Sequence, residues 1–326
     1  MVITAHDALS RRNRLTPLST GKRITPQERD LLWFAKLQEH GPLPSSFLLQ
    51  YAKDVRLSEK RARERLTDLF NEDNTPDGGA YLIRPPQQFR TIDSRYNQLV
   101  YDVAPAARDA LHQAGLSTDG PSAPSGPWLH RFMTSCITAS IELATIDHPD
   151  IRYIPQSKIL TRAKTDLRFP VTIIDPNTKR EQVKNIIPDA VFGLEYNTEA
   201  GIRFRFFAVE ADRATEPATS TNFNRKSFMR SLLQYEAYVS TGLYRQHLNL
   251  TAPLLVLYVS SDPLRKTRMI DLTTKRCSLG NSYMLFQAWE DFGPVFRPPQ
   301  PNPAFLIGDW ARGGLGHFRI EAARYF

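Results

Sequence analysis

The sequence predicts an α/β protein in two parts: an N-terminal winged helix-turn-helix over residues 1–114, and an α/β domain with a mixed central sheet over residues 128–326. Three observations carry this. The stretch 115–127 is rich in Gly, Pro and Ser with almost nothing to bury, the composition of a linker. Before it, three short helix signals precede two strand-like segments. After it, helical and strand patterns alternate around Leu254–Val259, a run apolar enough to be buried on both faces of a sheet. A length of 326 residues also favours two domains.

Composition narrows the class. With 41% hydrophobic and 23% charged residues the chain can bury sizeable cores and is not a disordered tail. No apolar run approaches the roughly 20 residues of a membrane span. Arg11, Arg12 and Arg14 are not followed by the apolar segment of a secretory signal, so a cytoplasmic, non-membrane protein is expected. Cys136 and Cys277 are too few for a disulfide framework and lack the spacing of a zinc site. A net charge of +8 favours an anionic partner.

In the first part, Thr25-Pro26 with Glu28 reads as a helix start, and Leu31, Leu32, Phe34, Ala35 and Leu37 supply an apolar side that ends at Gly41-Pro42. Pro44-Ser45-Ser46 opens a second helix, and Ser58-Glu59 caps a third. In the third helix Ala62, Leu66, Leu69 and Phe70 fall on one face, with Lys60, Arg61, Arg63 and Arg65 on the opposite face and its flanks. Strands are expected at 80–84 and 97–103, then a helix over 105–113. The basic helix reads as a recognition helix for double-stranded DNA, and Arg84, Arg90 and Arg95 in the wing as phosphate contacts. A solvated face of paired charges is the competing reading.

In the second part a helix is expected over 128–145, alternating segments around 153–160 and 169–174, strands at 186–194 and 202–212, a long helix over 224–246, a strand at 254–259, a helix near 263–273 and a last strand at 283–287. The Pro-rich segment 297–303 reads as a loop. Pro188-Asp189 falls in one strand and Glu210-Ala211-Asp212 ends the next. Alternation puts Glu210 and Asp212 on one face, and Asp189 joins them if the strands are neighbours. Three convergent carboxylates are the oxygen donors that Mg²⁺ or Mn²⁺ takes. The carboxylates also read as a strand end paired with Arg203 or Arg213.

Helix, strand, Pro-Asp, strand, Glu-x-Asp and helix, in that order, resemble the PD-(D/E)XK nuclease superfamily. Gln234 and Tyr238 resemble the Gln-x-x-x-Tyr motif of its exonuclease-like branch. The segment Glu210–Glu216, followed by Lys226 and Tyr235 and preceded by a winged helix and linker, is similar to the replication-relaxation family of mobile-element proteins. The resemblance implies a nuclease-like second domain with Asp189, Glu210, Asp212, Lys226, Gln234 and Tyr238 in the catalytic site. The metal would sit on Asp189, Glu210 and Asp212, with Glu142 and His130 of the preceding helix as further ligands. The superfamily lysine is replaced by Asp212, so Lys226 or Arg213 would have to supply the cation. The implied function is a DNA-binding protein of a plasmid, integrated element or phage, acting in replication, relaxation or mobilisation beside a relaxase or replication protein. Its activity would be phosphodiester hydrolysis. The alternative is a non-catalytic transcriptional regulator or relaxosome accessory built on a degenerate nuclease fold.

Overall fold

The computed structural model describes residues 14–53, 58–73, 79–90, 94, 96–116, 126–293 and 295–322. The chain forms two compact units, one of residues 1–122 with 295–301 and one of residues 123–294 with 302–326. Most of the predicted linker lies outside the described residues.

The first unit runs α1 (Glu28–His40), β1 (Leu43–Pro44), α2 (Ser45–Tyr51), α3 (Glu59–Asn71), β2 (Leu82–Ile83), β3 (Val100–Val103) and α4 (Pro105–Gln113). The strands form a small antiparallel sheet in the order β1-β3-β2. α1 starts later than Thr25-Pro26 suggests, because Asp30 reaches back to accept from the Gln27 N–H at 2.9 Å and makes Gln27 the cap. Trp33, Phe34, Phe47, Leu66, Leu69, Leu82 and Leu111 form its core, and the Trp33 indole N–H donates to the Leu48 carbonyl at 2.6 Å. The two later strands are shorter than expected. Pro85 and Pro86 have no N–H for a ladder, and the Gln88 amide pairs with both the N–H and the carbonyl of Val100 at 2.9 Å, standing in for a neighbouring strand. The Pro-rich segment joins this unit, its Pro298 and Pro299 carbonyls accepting from the Gln98 amide at 3.1 and 2.8 Å.

The second unit is α/β with a seven-stranded mixed sheet. Its elements are α5 (Trp128–Ile146), β4 (Ile151–Ile154), α6 (Gln156–Ala163), β5 (Phe169–Ile174), β6 (Glu181–Ile186), β7 (Ala190–Thr198), β8 (Gly201–Asp212), α7 (Phe228–Tyr235), α8 (Leu243–Leu248), β9 (Leu254–Ser260), α9 (Pro263–Arg276), β10 (Met284–Ala288), α10 (Ala304–Ile307), β11 (Asp309–Arg312) and β12 (Leu315–Arg319). The sheet order is β12-β11-β10-β9-β8-β7-β4, with β8, β9 and β10 parallel and the other pairs antiparallel; β5 and β6 form a separate hairpin. β9 is buried along its whole length, as its unbroken apolar run requires. One core joins Phe206 and Ala208 of β8 and Val256 and Tyr258 of β9 to α6, α7, α8 and α9; α5 contacts β4, β7 and β8 outside that cluster.

Four expectations change here. The segment 153–160 divides at Pro155 into β4 and α6. The strand expected at 186–194 breaks at Ile187-Pro188-Asp189, so that β6 ends in the hairpin, β7 begins in the main sheet, and Asp189 precedes its strand. The long helix expected over 224–246 starts only at Phe228, where the Ser227 hydroxyl caps it, passes through a π turn at Glu236–Ser240 and ends before Gly242, whose φ of 73° suits glycine. β11 and β12 form from short, polar sequences that predict no strand.

Candidate functional site

Antiparallel pairing of β7 with β8 sets Ala190 opposite Val209 and so brings Asp189 beside the end of β8. The Ala211 N–H donates to Asp189 Oδ2 at 2.8 Å, and His130 Nε2, from the first turn of α5, lies 2.9 Å from Oδ1. Both carboxylate oxygens therefore have partners. The hydrogen bond to Asp189 raises the His130 pKa against the opposing effect of burial.

Glu210 sits beneath this pair and is buried. The Tyr235 hydroxyl of α7 donates to its Oε1 at 2.5 Å. Burial, then the charge of Asp189, push the Glu210 carboxyl up to about 8, while Lys226 and the Tyr235 hydrogen bond pull the other way. Tyr235 is itself raised, by burial first and then by Glu210, so it remains a donor. Glu210 and Asp212 line one cavity of about 40 Å³, as alternation along β8 requires, together with His130, Arg213, Lys226 and Arg265. Lys226 lies in the loop before α7 and pairs with Glu216 at 3.3 Å. Burial opposes its charge, but the fields of Glu210, Asp189 and Glu216 outweigh it and raise its pKa. Asp212 is neutralised by Arg265 at 3.2 Å and accepts from the Ser260 hydroxyl at 2.9 Å.

Among the described residues no group of three or more His, Cys, Asp or Glu side chains is placed to hold a metal ion. Asp189 and Glu210 come together. Asp212 shares their cavity but is committed to Arg265, and Glu210 favours its neutral form. The donors as they stand do not fit a three-carboxylate Mg²⁺ or Mn²⁺ centre. Glu142 does not join them: it lies twelve residues beyond His130 on α5, about 18 Å along the axis.

Two motif residues also serve elsewhere. The Gln234 amide donates to the Asn185 carbonyl at 2.8 Å, pinning α7 to the hairpin. The Tyr238 hydroxyl meets His247 Nδ1 at 2.7 Å, and the other nitrogen of that ring lies 2.8 Å from the Asp166 carbonyl. Tyr235, one helical turn before Tyr238, is the tyrosine that reaches the carboxylates. Its place in the motif was visible in the sequence, but its direction was not. Arg265 lies 53 residues from Asp212 and gave no local signal.

In the first unit Lys60, Arg61 and Arg63 are exposed on α3 and Arg90 is exposed in the loop before β3; Arg95 lies outside the described residues. Arg63 pairs with Glu59 one turn earlier at 2.7 Å. Arg65 instead turns inward to Asp30 at 2.6 Å, a carboxylate with no exposed side-chain surface, and donates to the Thr25 carbonyl. Arg84 is buried, with its guanidinium 3.9 Å from the Phe70 ring centroid, 5.2 Å from that of Tyr101, and donating to the Arg14 carbonyl. Arg65 and Arg84 thus each compensate a buried acceptor or ring.

Among the described residues no helix is long and apolar enough to cross a membrane. No curated protein and no solved structure matches the chain. Residues 34–254, more than half of the sequence and spanning α3, Asp189, Glu210 and Tyr235, match the family model described as replication-relaxation. The chain belongs to the replication-relaxation family.

Proposed function

We propose that the protein binds double-stranded DNA through α3 and acts as an accessory in the replication or relaxation of a plasmid or other mobile element. Family membership supports the process. The observation that carries the DNA contact is the division of labour on α3: Lys60, Arg61 and Arg63 are exposed, while Arg65 and the apolar face hold the helix rigidly from behind. The order of three helices, a strand pair and a closing helix resembles that of a winged helix, whose third helix would enter the major groove. The Glu59–Arg63 pair is exposed and worth little, so Arg63 can exchange it for a phosphate while its other guanidinium nitrogen donates to the Ser45 hydroxyl at 3.2 Å. In the second unit the order of Pro188-Asp189 and Glu210-Ala211-Asp212, which resembles a nuclease signature, supports a shared ancestry with DNA enzymes. The commitment of Asp212 to Arg265, and of Glu210 to its proton and Tyr235, favours a non-catalytic role.

Titration of duplex DNA at several salt concentrations tests this. Replacing Lys60 and Arg61 with Ala should weaken binding and lower the log–log salt slope by about 0.9 for each phosphate no longer neutralised. Unchanged affinity and slope would remove α3 as the DNA contact. A second reading, hydrolysis of the DNA backbone, draws on the field that couples Lys226 to Glu210 and Asp189. It requires nicking or cutting of plasmid or linear DNA with Mg²⁺ or Mn²⁺ that EDTA stops and Lys226→Ala removes.

A further inference from the structure

About 13 to 20 Å from Glu210, toward the other end of β8, a second cavity opens on the same sheet face. Its volume is about 360 Å³, within the range of small-ligand pockets. The floor is aromatic, formed by Phe204 and Phe206 of β8. The rim is cationic, with Arg152 of β4 and Lys158 and Arg162 of α6. Glu195 is the one carboxylate in the lining and is already matched by Arg152 at 2.5 Å, which leaves the charges of Lys158 and Arg162 in excess. Lys158 has no ion-pair partner among the described residues, and the Arg162 guanidinium stands 6.0 Å from the Phe206 ring centroid. Phe204 leaves 38% of its surface exposed on a strand whose next residues are buried. The floor is also shaped: Gly193, opposite Phe206 on β7, admits the ring edge where a Cβ would lie 2.7 Å from Phe206 Cε1.

An aromatic floor under a two-cation rim matches a flat ring carrying a negative charge a few ångströms away. We infer that this cavity binds one unpaired nucleotide, with the base against the exposed ring of Phe204, which the core residue Phe206 backs, and the phosphate against Lys158 and Arg162. A duplex cannot offer that base without unstacking it, so the source is a single-stranded segment or end of DNA, or a free mononucleotide. The inference rests on nucleic acid being the partner, but it concerns a different unit from the helix that grips duplex. Single-strand binders combine the same two elements, a cationic groove and a stacking ring.

The test uses the full chain and fluorescence anisotropy with two probes, a labelled ten-nucleotide single strand and a blunt duplex. The wild type should bind the single strand. Phe204→Ala should weaken that binding about tenfold, the scale of one stacked base. Lys158→Ala with Arg162→Ala should lower the single-strand salt slope by about 0.7 for each phosphate left without its cation. Gly193→Ala, whose Cβ would lie 2.7 Å from Phe206 Cε1 and must displace that ring behind Phe204, should also weaken single-strand binding. Blunt-duplex affinity should stay unchanged in all three. Competition with a deoxynucleoside monophosphate separates the sources: displacement of the strand identifies a mononucleotide pocket, and its failure identifies a strand site. Single-strand binding that is absent in the wild type, or equal in the three variants, overturns the inference. Loss of duplex binding alone overturns the proposed function and leaves this result standing.

Discussion

Replacing Glu210 with Gln isolates the energetics of the carboxylate cluster. Gln keeps the volume and an oxygen that can accept from Tyr235, and removes only the ability to ionise. In the folded chain the Glu210 carboxyl titrates at about 8, against 4.5 for an unperturbed one. The folded state therefore holds a proton that the unfolded state releases across this interval. The contribution of Glu210 to stability is fully present below about pH 4.5 and is lost as pH rises toward 8, where it must carry a buried charge beside Asp189. At 1.36 kcal/mol for each pKa unit the whole interval amounts to at most about 5 kcal/mol. A difference of a few kcal/mol is expected, because Lys226 draws closer to the anion as it forms. His130 also has a raised pKa and its stabilisation also declines with pH, but only above its ordinary value of 6.5 and equally in both proteins. The experiment is urea unfolding of wild type and Glu210→Gln at intervals from pH 5 to 8, following tryptophan fluorescence, to which Trp128, Trp289 and Trp310 of the second unit contribute beside Trp33 of the first. The two should coincide at pH 5, and the variant should gain steadily until it is the more stable protein at pH 8. A stability difference that does not change with pH would refute both the burial of Glu210 and its neutral form.

Three further outcomes follow from the same side-chain pairings. Arg65→Ala should destabilise the first unit by about 2 kcal/mol, since it leaves the buried Asp30 only Arg29 at 3.8 Å and the Gln27 N–H, whereas Lys60→Ala and Arg61→Ala should change thermal melting within about 0.5 kcal/mol; equal melting of all three would undo the structural assignment of Arg65. Arg84→Ala should cost on the order of 2 kcal/mol through its packing between Phe70 and Tyr101, and leave the DNA salt slope at the wild-type value, a point that parallel melting and titration decide. At neutral pH the melting temperature should be indifferent to Mg²⁺ and Mn²⁺; a rise of several degrees that Asp189→Asn abolishes would restore the three-carboxylate centre.

Much of the fold was legible because it is written in local pattern. Ser58 before a face of Ala62, Leu66, Leu69 and Phe70 identifies α3 within a residue, and an unbroken Leu/Val/Tyr run identifies β9 and its burial. The spacing of Asp189, Glu210 and Tyr235 placed them on neighbouring elements, and pairing of β7 with β8 brought them together. Elements without such a pattern were missed or misplaced. β11 and β12 are short and polar and exist through their pairing with β10 and with each other. The break at Pro188 is a change of partner from hairpin to main sheet, which no local propensity encodes.

The sequence by itself determined the α/β class, the helical first part, the exposed cations of α3 and the order of the carboxylates, because periodicity and capping act over a few residues. Only the tertiary structure decided what each charge is for. Arg65 and Arg84 look like their exposed neighbours until Asp30, 35 residues away, and the Phe70 and Tyr101 rings claim them. Asp212 looks like a metal ligand until Arg265, 53 residues on, neutralises it. A charge in a chain has no fixed partner, and burial, which makes the choice of partner cost kcal/mol, is a property of packing across the whole unit.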